Sequence, residues 1–131
     1  MRAALIALVA MGLAGCSKSP ERPSPYPTCS QADLLKFDKR LAAIVSTKVF
    51  DYDAEKLAAD AVQKDATSCR LATTGLRQVS WMRRESHAWA TLAQIETIQD
   101  DGYAAGDDQR NADQLAQLAN ALADRARNGT R

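Results

Sequence analysis

The chain has 131 residues, enough for one domain, with 17 Lys+Arg against 16 Asp+Glu and only 5% aromatic residues. This near-neutral balance excludes nucleic acid as a partner and excludes a basic membrane-surface peptide, because both depend on excess Lys and Arg. Sparse aromatic and β-branched side chains, with alanine abundant in the second half, disfavour a sheet core and favour close-packed helices.

The N-terminus opens with Met1-Arg2, a positive start, and then the apolar stretch "AALIALVAMGLA". A dozen apolar residues are too few for a transmembrane helix, which needs roughly 20. They fit the apolar centre of a secretory signal followed by small residues at a cleavage point. Leu13-Ala14-Gly15-Cys16 resembles the lipobox of bacterial lipoproteins, and the resemblance covers only about the first twenty residues. It implies that the Cys16 thiol carries a diacylglyceryl group, that the Gly15–Cys16 bond is cut, and that the new amine is acylated, with palmitate a typical acyl chain. By the sorting rule of that class, Ser17 in place of Asp implies the periplasmic face of the outer membrane. Arg2 is the only charge before Cys16, so the processed chain keeps 16 positive and 16 negative side chains.

Residues 17–28, "SKSPERPSPYPT", hold all four prolines. Proline at this density removes backbone donors and fixes φ, so the segment reads as an extended tether. Twelve such residues reach roughly 37 Å. The organisation expected is therefore a signal peptide over 1–15, a lipidated tether over 16–28 and a helical domain over 29–131.

No proline follows Ser30, which is a natural N-cap with Asp33 three residues on. Leu34, Phe37, Leu41, Ile44, Val45 and Val49 follow helical spacing. "FDYD" breaks the pattern, and Asp51 or Asp53 caps a second helix with Leu57, Ala58, Ala61, Val62, Ala66 and Cys69 inward. After "TTG", a third helix is expected from about 76 to 101. Its richest face gathers Trp81, Met82, Ala88, Trp89 and Leu92, with Gly102 as the residue that ends it. "YAAG" then reads as a loop, with Asp107 or Asp108 capping a fourth helix. There Ala112, Leu115, Leu118, Ala119, Leu122 and Ala126 form the seam. Four helices with short turns predict an all-α, up-down bundle.

With Cys16 lipidated, Cys29 and Cys69 remain, and in an oxidising envelope they read as one disulfide. The arms on either side of the Asp51 turn are both roughly 27–30 Å long. An antiparallel hairpin thus brings both cysteines together at its open end. A metal or redox pair is disfavoured by the lack of a CxxC and by His87 lying on a distant helix.

The densest stretch for chemistry is "WMRRESHAW", residues 81–89. Glu85 lies one turn from both tryptophans, within the apolar face, where a raised pKa would suit a general acid. Its commoner fate is a rim position beside an arginine, and His87 points to solvent with no catalytic partner nearby. Arg77 and Arg84 share a stripe flanked by Arg83. The acidic run "DDGYAAGDD" does not fit the order of a calcium loop. No nucleophile, base or metal-ligand constellation is legible, so the expectation is a non-enzymatic protein without cofactor or metal.

The function expected is therefore a membrane-anchored binding component of an envelope assembly. Its contact surface would be Trp81 and Trp89 with Arg77, Arg83 and Arg84, the residue types enriched at binding hot spots. The alternative is a protective lipoprotein that inhibits an incoming hydrolase or excludes a conjugative element, with "DDGYAAGDD" as its probe. The oligomeric state is not legible.

Overall fold

A computed structural model describes residues 25–45 and 50–129, and within them the chain is four helices. These are α1 (Gln31–Val45), α2 (Tyr52–Ala72), α3 (Gly75–Ile98) and α4 (Gly102–Asn128). The all-α expectation holds. The signal segment, the lipobox and Cys16 lie outside the described residues, as does most of the tether.

Ser30 and Asp33 form a reciprocal cap at the start of α1. The Ser30 N–H donates to the Asp33 carboxylate at 3.0 Å, and the Asp33 N–H donates to the Ser30 hydroxyl at 3.3 Å. The Thr28 hydroxyl adds a second bond to the same carboxylate at 2.9 Å. The Ser30 backbone donor is the main reason why Asp33 titrates below the usual carboxylate range, against the opposing effect of burial. From this cap, Leu34, Phe37, Leu41 and Ile44 recur at helical spacing and turn towards α2 and α3.

Asp51 caps α2 through the Ala54 N–H at 3.2 Å. The buried seam of α2 is Ala59, Val62, Ala66 and Cys69, spaced three and four apart. Leu57, expected inward, is 73% exposed. Its angular position misses the seam that the Cys69 bridge and the α3 contact select. Cys69 is bonded to Cys29 across 40 residues, with the two Cα atoms 5.4 Å apart. The expected staple of the first hairpin is present.

Tyr26 corrects the domain boundary. It lies inside the expected tether, yet it is buried and joins the core with Phe37 and Trp81. Ring centroids are 5.7 Å apart for Tyr26–Trp81 and 6.1 Å for Tyr26–Phe37. Phe37 meets Trp81 edge to face at 5.7 Å. The folded body thus starts at Tyr26, before the cysteine.

The connection between α3 and α4 is tighter than expected. Asp100 takes a left-handed conformation with φ at 63° and ends α3. The N–H of Asp101 reaches Glu96 O at 2.9 Å, and that of Asp100 reaches Thr97 O at 3.1 Å. That is the Schellman pattern, with aspartate rather than Gly102 in the left-handed position. Asp101 then caps α4 by accepting from the Ala104 N–H at 3.3 Å. "YAAG" is therefore helical, and neither Asp107 nor Asp108 is the cap. The sequence pattern could not separate two caps that share three consecutive residues.

Ala105, Ala112, Ala119 and Ala123 are the buried line of α4. The expected leucines take second place, with Leu118 exposed and Leu122 only partly covered. Alanine lets the α3 and α4 backbones approach closely. The Ser86 hydroxyl even donates to the Ala112 carbonyl at 2.7 Å. Helix α3 is the hub: it packs along α4 and α2 and meets α1, whereas α4 comes close to no described helix except α3.

Antiparallel hairpins give the rod two distinct ends. One holds the Cys29–Cys69 bridge, the α2–α3 turn and the end of α4, because Val79 and Met82 pack on Ala119 and Ala123. The other holds Asp51 and the α3–α4 turn.

Candidate functional site: the uncovered face of α3

Because α1 and α4 both meet α3 but not each other, a strip of α3 between them is open. One groove there, about 520 Å³, is lined by Asp38, Arg83, Arg84, Ser86, His87, Ala116 and Asn120. A second, about 380 Å³, continues along α3 past Leu41, Ala42, Ala90 and Gln94.

Charge in the groove is fixed by one ion pair. Arg84 grips Asp38 through its Nε and one terminal Nη, at 3.2 and 3.0 Å. This neutralises the one carboxylate of the groove lining and holds Arg84 against α1. Arg83 and His87 are exposed four residues apart on α3 and leave the groove with surplus cationic and donor character.

The expected contact surface divides in two. Trp81 is a correction, since it is fully buried and its indole N–H donates to Cys29 O at 3.0 Å. It fills the space between α1, α2 and the disulfide and presents nothing to a partner. Trp89 is half-buried beside Ile44, Tyr52 and Leu92. Arg77 is half-buried near the start of α3, one turn before Trp81, whose ring instead faces Tyr26 and Phe37. Only Arg83 and Arg84 reach the open groove.

The buried carboxylates are engaged between helices. Glu85 is fully inside, paired with the Arg70 guanidinium of α2 and accepting from the Thr67 hydroxyl at 2.6 Å. It is neither at a rim nor open to a substrate. Asp65 accepts from Arg40 at 2.6 Å, and the same guanidinium reaches the Tyr26 hydroxyl at 3.3 Å. Burial is the largest single effect and disfavours the Arg40 charge, but hydrogen bonds and charge interactions with Tyr26 and Asp65 together outweigh it and hold the guanidinium protonated more firmly than in water.

Glu96 is the residue that sequence reasoning missed. It is 1% exposed, with Lys56 Nζ at 3.8 Å and with its Oε1 lacking a hydrogen-bond partner. Burial first, and then the neighbouring Asp108, push its carboxyl up to about 7. The signal was available: Glu96 lies four residues beyond Leu92 and eight beyond Ala88, on the same inward stripe. Among the described residues, no group of three or more His, Cys, Asp or Glu side chains could hold a metal ion, and no helix is long and apolar enough to cross a membrane. No protein-family model matches this chain, and no curated protein or solved structure is similar to it, so its residues alone carry the functional argument.

Proposed function

We propose that this chain is a lipid-anchored, non-enzymatic binding protein of the cell envelope. Cys16 would hold it at the periplasmic face of the outer membrane, and the groove on α3 would bind an acidic segment of another envelope protein. The observation that carries this reading is the strip of α3 left open between α1 and α4, with Arg83, His87 and the Arg84–Asp38 pair along it. Electrostatic complementarity selects a partner with carboxylates there, since α-helical spacing puts Arg83 and His87 on one line. The buried ionisable pairs tie helices together, which supports a scaffold more than a catalyst.

The test is cross-linking in intact envelopes. Arg83→Glu should remove the captured partner while leaving the fold in place, because Arg83 is exposed and lies outside the core. An unchanged set of cross-links would overturn the groove. Loss of fatty-acid labelling in Cys16→Ser checks the anchor separately.

A second reading has one observation in its favour. Tyr103 is 93% exposed at the acidic α3–α4 turn, beside Asp100, Asp101 and Asp107. A protective lipoprotein would push this end into a basic cleft of an incoming protein. In that case Tyr103→Ala, and not Arg83→Glu, abolishes the cross-link.

A further inference from the structure

Among the described residues, the two ends of the bundle expose opposite charge. The end with the α3–α4 turn exposes Asp51, Asp53, Asp100, Asp101 and Asp107. Its cation Arg110 is already paired with Asp107, and Lys56 lies against buried Glu96. The opposite end is different. Residues 66–84, which include the α2–α3 turn, contain four arginines and no carboxylate. The nearest acids there are satisfied, Glu85 by Arg70 and Asp124 by Arg127. Arg77 and Arg125 remain as surplus charge.

That same turn exposes two large apolar side chains. Leu71 and Leu76 stand on either side of it, 71% and 62% exposed. The sequence "RLATTGLR" thus places an arginine outside each leucine. One residue before Arg70, Cys69 is bonded to Cys29, so the chain leading to Cys16 joins the body at this end. Between Cys16 and Tyr26 lie nine residues, whose reach of roughly 28 Å is a farthest distance and not a nearest one.

We propose that the α2–α3 turn is a membrane-contact tip, with Leu71 and Leu76 entering the interface and Arg77 and Arg125 meeting anionic lipid headgroups. This rests on the reading of Cys16 as a lipid anchor. Apolar side chains bracketed by arginine suit the boundary between acyl chains and headgroups. The far end also exposes apolar groups, Ile98 and Tyr103, but its carboxylates are repelled by an anionic surface. Charge therefore chooses which end lies down. The anchor makes the encounter intramolecular, so a tip too weak to bind alone still docks. Docking the tip points the acidic end away from the bilayer and fixes the direction of the groove.

The experiment uses the lipidated protein on nanodiscs of phosphatidylcholine with phosphatidylglycerol, doped with a spin-labelled lipid. Methyl signals of Leu71 and Leu76 should broaden several-fold more than those of Ile98 and Leu118. The difference should shrink on pure phosphatidylcholine and at high salt. Leu71→Ser with Leu76→Ser, both at exposed positions that leave the core intact, should abolish the broadening at Ala72. Equal broadening at both ends, or stronger broadening at Ile98, overturns the proposal. An N-terminal Cys16 peptide without acyl mass would instead sink the anchor. Coupling the unacylated chain through Cys16 to a maleimide lipid in the same nanodiscs then decides the tip alone: broadening at Leu71 and Leu76 supports it, and equal broadening at Ile98 overturns it.

Discussion

The Trp81 indole donates to the backbone carbonyl of Cys29 at 3.0 Å, joining the hub helix to the residue that starts the disulfide loop. Cys29 itself is in the left-handed region, with φ at 48°. Its own N–H bonds back to Tyr26 O at 3.3 Å. Tryptophan, disulfide and the turn at Tyr26 thus form one unit. Trp81→Ala should cost about 3–5 kcal/mol, and Trp81→Phe, which mainly loses the N–H, should cost about 1–2 kcal/mol. Urea titration of both variants checks this. A Phe variant as weak as Ala would show that the indole N–H bond to Cys29 O, and not packing volume, holds this site.

Reduction of Cys29–Cys69 frees a loop with a sequence separation of 40. The chain-entropy model gives a loss of roughly 4 kcal/mol. Double replacement by serine should lower the urea midpoint correspondingly, and a reducing agent should then have no further effect. A midpoint unmoved by reduction in the native protein would contradict the staple.

Glu85 distinguishes a structural carboxylate from a catalytic one. Glu85→Ala leaves the half-buried Arg70 and the Thr67 hydroxyl without their partner, a loss of about 2–3 kcal/mol. Exchanging both for well-packed apolar residues should recover most of that. Recovery in the double variant, measured by thermal melting, identifies the pair as a tie between α2 and α3.

Glu96 makes stability fall as pH rises. Its carboxyl titrates at about 7 in the fold against 4.5 as the ordinary value. Between those values the folded state holds the extra proton, so stability declines across that window and levels off above it. Lys56 opposes the shift, while Asp108 and Asp101 reinforce it. The expected decline is on the order of 2–3 kcal/mol. Glu96→Gln should flatten the profile and leave the variant more stable than the parent at pH 8. Urea midpoints from pH 5 to pH 8 measure it, and a profile that keeps its slope in Glu96→Gln assigns the titration elsewhere.

Asp100 has two faults that glycine would relieve. It is a non-glycine residue at φ 63°, and it puts a negative charge at the C-terminal end of α3. Asp100→Gly should stabilise the fold by about 0.5–1 kcal/mol, read as a higher melting temperature. A lower melting temperature would mean that the aspartate makes a favourable contact of its own.

Local signals were readable where one residue type carries the physics by itself. Ser30 and Asp33 marked a helix start, Asp51 marked another, and Cys29 and Cys69 marked the bridge. Periodicity also put Trp81, Met82, Ala88, Trp89 and Leu92 on one face of α3, and all of these but Trp89 are buried. It could not choose among neighbouring stripes. Leu57 lost to Ala59, and Leu118 lost to Ala119, because helix rotation follows from closest approach and small residues allow the closer one. The groove was legible only as arginines with no stated position.

Composition, caps and cysteine spacing are local or pairwise properties, and they were enough to determine a helical body and its staple. Which helix is central depends on all four packing at once. Tertiary structure alone decided that α3 is the hub, that Trp81 is core and not surface, and that Tyr26 belongs to the fold. It also decided that Glu96 is buried against Asp108 and Lys56. The reason is that burial is a property of what a side chain faces, and a one-dimensional pattern names a face without naming its neighbour.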